Sequence, residues 1–325
     1  MKAILCIAHG GPEELVWRET PTPTPGPDQV LVKLGAAAVN FPDALVIAGR
    51  YQVQPPLPFS PGCEGVGVIS AVGRNVTRLR PGRRVMFSTT FGAFAEEVVV
   101  EARSAYLIPD AMPDEDAAGF LLAYATAYHA LKQRAALRAG ETLLILGAGG
   151  GVGLAGVEVG RAMGARVIAC ASSADKLEAC KARGADVLVE YGEPATLRSL
   201  IAEATGGRGP DVIYDPVGGA FAEPAFRSIA YNGRYVVIGF AAGSIPSLPL
   251  NLPLLKSASL VGAIVGVFMD KEPDIYEQNV EDLLALYAKN RLKPVVSQVL
   301  PLRQAADAIR ALTDRRAVGK IVLTA

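Results

Sequence analysis

The densest chemical signal in this 325-residue chain is a run of glycines set between an apolar segment and a helix-forming one. Thr142–Leu146 leads into Gly147-Ala148-Gly149-Gly150-Gly151-Val152-Gly153 and directly on into Leu154-Ala155-Gly156-Val157. Strand, tight glycine turn and helix N-terminus in that order make a seat for an anion. Glycine lets the backbone approach a pyrophosphate, whose charge meets free N–H groups and the positive end of the helix dipole. A close strand–helix turn without a ligand has the same local pattern. The further strand–helix units that follow decide for dinucleotide binding, with Gly150, Gly151, Val152 and Gly153 as the phosphate seat.

An NAD site usually closes its second strand with an Asp or Glu for the ribose 2′-hydroxyl, about 20 residues past the glycines. Here that strand ends Ala169-Cys170-Ala171-Ser172-Ser173-Ala174-Asp175-Lys176, with no carboxylate at its tip. Two hydroxyls, a helix N-terminus and a lysine suit a 2′-phosphate instead, so the residues predict NADPH over NADH, held by Ser172, Ser173 and Lys176. The same residues also read as a helix cap, Ser172 and Asp175 forming a capping box beside a solvated lysine. Both readings can hold together.

Groups for other chemistry are scarce. The chain has two histidines, His9 and His129, and four cysteines, Cys6, Cys63, Cys170 and Cys180. That leaves little for a Ser-His-Asp hydrolase or a multi-histidine metal centre. The cysteines form no C-x-x-C pair, and Cys6 and Cys170 lie inside apolar runs, which points to free thiols in a reducing compartment. Lys plus Arg and Asp plus Glu both number 32, so net charge is zero and no basic surplus serves a nucleic-acid backbone or an anionic membrane. No signal peptide is legible in the short apolar run Ala3–Ala8. The uncharged stretch Tyr235–Leu255 is broken by Gly239, Gly243, Pro246, Pro249 and Pro253, so a cytoplasmic chain without a membrane span is expected.

These groups need elements to position them. The first hundred or so residues carry short apolar runs between Pro and Gly, such as Val30–Leu34, Gly65–Val72, Arg84–Phe87 and Glu97–Val100. This predicts many short strands and a β-rich barrel or sandwich. Asp114–Ala139 is rich in Ala and Leu and reads as helix. Beyond it, strands at Thr142–Gly147, Arg166–Ala171, Asp186–Val189, Asp211–Tyr214 and Arg234–Gly239 alternate with helical segments at Gly153–Met163, Asp175–Arg183 and Pro194–Thr205. That is the pattern of an α/β fold with a doubly wound parallel sheet. Phe240 and Ala241, just after the last of these strands, fall at the carboxyl edge of the sheet, where ligands sit. Ser259–Phe268 reads as one more strand, apolar and nearly free of charge, which would be an aggregation hazard unless paired. Glu277–Asn290 reads as a helix.

Beside the glycine turn stand Val39-Asn40-Phe41-Pro42-Asp43 with Gly49-Arg50-Tyr51, then Gly62-Cys63-Glu64-Gly65-Val66-Gly67, Ala125-Thr126-Ala127-Tyr128, Tyr214-Asp215-Pro216-Val217-Gly218-Gly219 and Gly319-Lys320-Ile321-Val322-Leu323. In this order, over essentially the whole chain, they resemble the zinc-free quinone oxidoreductases (the zeta-crystallin family) of the medium-chain dehydrogenases/reductases. The resemblance implies a GroES-like catalytic domain, residues 1–120 and 291–325, and a Rossmann dinucleotide-binding domain, residues 121–290. The superfamily's alcohol dehydrogenases hold a catalytic zinc through a cysteine in the first stretch, a histidine in the second and a third sulfur later. Here Asn40–Asp43 has no cysteine, Cys63 stands for the histidine, and Ala123–Thr126 has neither Cys nor His. One soft ligand falls short of the three that a catalytic zinc needs. No metal is expected, and the acceptor is then one a nicotinamide reduces unaided, a quinone or another α,β-unsaturated carbonyl.

By the resemblance, Asn40 and Tyr51 face the nicotinamide pocket, where an amide N–H and a phenol O–H would bind the developing oxyanion. From the residues alone, Asn40 could equally cap backbone groups and Tyr51 line the barrel wall. The resemblance also sets Thr126 by the nicotinamide, Tyr191 near the adenosine 2′-phosphate and Lys320 at the cofactor. The plainer readings are a helix hydroxyl, an interfacial aromatic and a solvated lysine. In the family the edge equivalent to residues 259–268 pairs across a two-fold axis, which implies a homodimer. Two other functions stay open: an enoyl-thioester (enoyl-CoA) reductase of related fold, and a non-catalytic NADPH-binding protein.

Overall fold

In the computed structural model, which describes all 325 residues, the chain opens with the antiparallel pair β1 (Lys2–Cys6) and β2 (Leu15–Glu19). It continues through β3 (Gln29–Val39), α1 (Phe41–Ile47), β4 (Glu64–Val72), β5 (Arg84–Ser88), β6 (Glu97–Glu101), β7 (Ala105–Leu107) and the short α2 (Asp114–Ala118). Then come α3 (Leu121–His129), β8 (Thr142–Ile145), α4 (Gly151–Ala162), β9 (Arg166–Ala171), α5 (Ala174–Ala182), β10 (Val187–Glu190), α6 (Pro194–Thr205), β11 (Val212–Asp215), α7 (Ala222–Arg227) and β12 (Arg234–Val237). After α8 (Asn251–Lys256), β13 (Ser259–Gly262), α9 (Val265–Lys271) and α10 (Pro273–Ala288), the chain closes with β14 (Val296–Pro301), α11 (Ala305–Thr313) and β15 (Lys320–Thr324). Contacts divide it into two units, Met1–Leu122 with Val296–Ala325, and Ala123–Val295. No helix is long and apolar enough to cross a membrane.

The first unit is built on β3. Along it Val30, Leu31, Val32 and Leu34 are buried and Lys33 is exposed, and Ala36–Val39 are all buried, so toward its end the strand is covered on both faces. The sheet runs β14-β15-β3-β4-β5-β7, with β6 also on β3, and is antiparallel apart from the β14–β15 pair. Glycine lets β3 and β4 close on each other: a Cβ at Gly67 would run into the carbonyl oxygen of Lys33. Register then determines which side chains meet. Ile321 pairs with Val39 and Gly65 with Ala37, so Lys320 and Glu64 both arrive beside the end of β3, next to Asn40.

The second unit is a six-stranded parallel sheet in the order β10-β9-β8-β11-β12-β13. Every residue of β8 and β11 is buried, as expected of central parallel strands covered on both faces. The order reverses between β8 and β11, so the crevice beyond their carboxyl ends is the ligand position of such a fold. The strand expected over Ser259–Phe268 ends at Gly262, and Val265–Lys271 is helix. Phe268 lies stacked on the ring of His129, 3.9 Å between centroids, and is buried there. An uninterrupted apolar run does not distinguish strand from buried helix, and tertiary packing settled it here.

Candidate active site

Two sets of residues have the chemistry of a site. In the first unit, α1 begins directly at the end of β3 with Asn40 as its N-cap, and the Asn40 N–H donates to Asp43 Oδ2 at 2.7 Å. The Asn40 side chain makes three hydrogen bonds. Nδ2 donates to Glu64 Oε1 at 2.9 Å and to the Ala38 carbonyl at 3.2 Å, while Oδ1 accepts from Lys320 Nζ at 2.6 Å. Lys320 also donates to Glu64 Oε1 at 2.7 Å, and Glu64 Oε2 accepts the Leu122 N–H at 2.8 Å. Glu64 is 0% exposed and Lys320 5%, so this is a buried ion pair, with Glu64 accepting from Asn40, Lys320 and the Leu122 amide. Removing one partner of such a pair typically costs about 3–5 kcal/mol.

Asp43 and Cys63 adjoin it. Burial pushes the Asp43 carboxyl up to about 7, against the pull of the Asn40 N–H, the Lys320 charge and the Cys63 thiol. Burial, then the Asp43 and Glu64 charges, hold the Cys63 thiol well above the usual cysteine value. Tyr51 is half-buried at the edge of this group, and its phenol is raised first by burial and then by Cys63 and Asp43. A phenol in that setting keeps its proton and stays a donor.

A zinc ion does not fit this donor set. An amide stands at the first ligand position, the Cys63 thiol is held in its protonated form, and the Glu64 carboxylate is already neutralised by an ammonium. No three His, Cys, Asp or Glu side chains in the chain are arranged to hold a metal ion.

In the second unit, β8 ends in the glycine turn and α4 starts at Gly151 with Gly150 as N-cap. The first bond back within α4 is Leu154 N–H to Gly150 O at 2.8 Å, which leaves the Gly151, Val152 and Gly153 amides without a partner inside the helix. A Cβ at Gly153 would collide with the Gly147 carbonyl oxygen and the Ala148 Cα, so only glycine lets the turn close this tightly. At the end of β9, α5 begins after Ser173. Ser173 makes no side-chain capping bond, so the capping box expected from Ser172 and Asp175 does not form; the cap is one residue later. Lys176 lies back along the glycine turn, with its Cγ 2.7 Å from where a Gly149 Cβ would be, and its ammonium is 3.5 Å from Ser172 Oγ. Helix N-termini, glycines without Cβ and a lysine over the turn make a cradle that fits a dinucleotide phosphate chain.

The other expected residues are placed as follows. Thr126 sits half-buried on α3. Tyr191 is buried, edge-on to Phe221 at 4.9 Å, as part of the core under β10 rather than an open stacking surface. Phe240 and Ala241 follow β12; the Ala241 N–H donates to Pro216 O at 3.0 Å, and the Phe240 ring covers Gly218. Lys320 is not the solvated lysine that the end of a strand suggested. Asp215, at the end of β11, takes the N–H groups of Val217 and Gly218 at 2.7 and 2.9 Å and the Tyr235 hydroxyl, and so pins the turn opposite Gly147. Neither Glu64 nor Asp215 was singled out from the sequence; acids among glycines gave no chemical signal there.

This pairing of a strand-rich unit and a doubly wound unit agrees with comparisons to known proteins. Residues 26–110 match the family model described as alcohol dehydrogenase GroES-like domain, and residues 151–285 the model described as zinc-binding dehydrogenase. Quinone oxidoreductase-like protein 2 of Bos taurus is 34% identical, over 99% of this chain and 92% of its own. The quinone oxidoreductase of Pseudomonas aeruginosa is 33% identical over 99% of both chains. The crystal structure of Escherichia coli quinone oxidoreductase complexed with NADPH superposes with a TM-score of 0.93 at 28% identity, covering 100% of both chains. The chain belongs to the medium-chain dehydrogenase/reductase family, a GroES-like domain with a Rossmann-type domain, and within it to the quinone oxidoreductases. It is an oxidoreductase of that type.

Proposed function

We propose that the chain is an NADPH-dependent quinone oxidoreductase that reduces quinones and other α,β-unsaturated carbonyls without zinc, working as a homodimer in the cytoplasm. The observation that carries this reading is the cluster at the end of β3. Where a zinc enzyme of this family has its metal ligands, this chain has an amide locked between an ammonium and a carboxylate. No Lewis acid is then at hand to stabilise an alkoxide, and the acceptor must carry its own electron sink.

NADPH, when bound, supplies the hydride. The chain's own residues bind and orient. The amides of Gly151, Val152 and Gly153 face the phosphates, and Ser172, Ser173 and Lys176 replace the ribose-binding acid of an NAD site with groups that welcome a 2′-phosphate. Thr126, Phe240 and Ala241 complete the cofactor's surroundings in this reading, while Tyr191 belongs to the core under β10. Tyr51, kept protonated first by burial and then by Cys63 and Asp43, donates to the carbonyl oxygen as charge develops on it. The relative crystallised with NADPH supports the cofactor assignment.

For the dimer, the support is β13. Its outer edge has no partner within the chain, and Leu260 is 52% exposed there. The test of the function is NADPH oxidation with 1,4-benzoquinone, 9,10-phenanthrenequinone and simple enones on protein treated with a zinc chelator. Turnover unaffected by the chelator is expected. No oxidation with any acceptor would overturn the reading, and activity on crotonyl-CoA far above that on quinones would move it to the thioester reductases.

A further inference from the structure

The Asn40 amide has only one orientation compatible with its neighbours. Oδ1 faces an ammonium, and Nδ2 faces a carboxylate oxygen and a carbonyl oxygen. Turning the amide over would put its NH2 against the Lys320 NH3⁺ and its carbonyl against two acceptors, losing all three bonds. With the amide held this way, both N–H groups are spent on Glu64 and Ala38. Oδ1 takes one bond from Lys320 and keeps a second lone pair, and Asn40 is only partly buried.

We infer that the buried Lys320–Glu64 pair locks Asn40 as a hydrogen-bond acceptor toward ligands, so that Asn40 selects a ligand's O–H or N–H and gives no bond to a developing oxyanion. This rests on the proposed reductase reading. It also sharpens it, because a quinone carries no donor. The group Asn40 receives is then either an O–H of the hydroquinone product or an O–H or N–H of the cofactor. Lys320 and Glu64 act through Asn40 and are positioning residues; the oxyanion is left to Tyr51. The chain brings the three together from β15, β4 and the end of β3, so the lock is set by strand register and not by a mobile loop.

The experiment measures three constants on the full-length protein: NADPH Kd by fluorescence titration, hydroquinone Ki by product inhibition, and benzoquinone KM. In Asn40→Ala, one of the two donor-bearing ligands should bind about five-fold or more weakly, and whichever does identifies the source of the donor, while the benzoquinone KM stays within about two-fold. Lys320→Met combined with Glu64→Gln swaps the ion pair for two neutral side chains and avoids an unpaired buried charge. It should weaken the same ligand. Adding Asn40→Ala to that double variant should weaken it no further, because the pair works through the amide. Additive losses would mean that Lys320 touches the ligand itself, and would overturn the lock. Unchanged Kd and Ki in Asn40→Ala would overturn it as well, and would return Asn40 to the oxyanion if kcat fell. If the wild type reduced no quinone, the reductase reading would fail by itself, while the NADPH and hydroquinone titrations would still judge the lock.

Discussion

Asp43 is a carboxyl group that folding takes fully out of water, 2% exposed and at the centre of the first unit's polar cluster. Its folded value of about 7 lies above its ordinary 3.8. The folded chain therefore binds the proton more tightly than the unfolded chain, and the stability linked to that proton is full below pH ~4 and lost as the pH rises through about 7. The whole span is worth on the order of 4 kcal/mol. Asp43→Asn, which still offers an oxygen to the Asn40 N–H, should gain on the wild type in urea unfolding by a few kcal/mol between pH 5 and pH 8; parallel profiles would show that Asp43 stays charged. Lys176 makes a second residue-scale test. Lys176→Ala should raise the NADPH KM about five-fold or more and leave NADH nearly untouched, since only NADPH has the 2′-phosphate; equal effects would make Lys176 a helix-end lysine only. Tyr51→Phe should lower kcat roughly a hundredfold with little change in NADPH Kd, the loss typical of one oxyanion donor. Such residue types were legible in the sequence, but their partners were not. Lys320 lies 256 residues from Glu64 and 280 from Asn40, and only the pairing of β15 and β4 with β3 makes them neighbours.

At the level of elements, the glycine turn between β8 and α4 shows what local sequence can and cannot say. Its place between strand and helix was readable because the glycine run adjoins both in sequence, and the observed α4 starts within two residues of the expected Gly153; that Gly147 and Gly149 make room for Val217 and Lys176 was not readable. The same turn yields a paired prediction. A Cβ at Gly150 would meet nothing closer than the Gly147 carbonyl oxygen at 3.5 Å, whereas one at Gly153 would collide with the turn. Gly150→Ala should keep the wild-type Tm and weaken NADPH binding, because the methyl enters space that belongs to the phosphate. Gly153→Ala should lose NADPH binding and also about 1–3 kcal/mol of stability from overpacking. Calorimetry with a titration of each variant checks this; a stable Gly153→Ala with normal Kd would refute the cradle. By contrast, β13 and α9 were read as one strand. No charge interrupts Ser259–Phe268, but β13 ends at Gly262, level with Val237 at the end of its partner β12, and Phe268 on α9 packs against His129, some 140 positions upstream.

At the scale of the whole molecule, the change from short strands to alternating strands and helices was legible because the first half carries short apolar runs bounded by Pro and Gly and the second alternates apolar runs with longer helical segments. Zero net charge and an apolar excess on one segment point to how the molecule is completed. Leu260, on the outer strand β13, is 52% exposed, and Leu250 and Leu254, at the start of α8 and within it, are 85% and 78% exposed. Isolated apolar residues on a surface are ordinary, but one on an unpaired strand edge, with further exposed leucines close by in sequence, invites pairing with another chain. Two copies meeting edge to edge would satisfy the open N–H and C=O groups of β13 and cover Leu260 in one step. Uncontrolled pairing would instead give aggregates. Light scattering at micromolar concentration should therefore report a dimer and no larger species. Leu260→Lys with Ile264→Lys places like charges at that edge and should give a monomer that still binds NADPH, since the residues proposed for the phosphates lie at the starts of α4 and α5, after β8 and β9, which are separated from β13 in the sheet order. A wild-type monomer, or a lysine variant that remains dimeric, would rule out this edge as the interface.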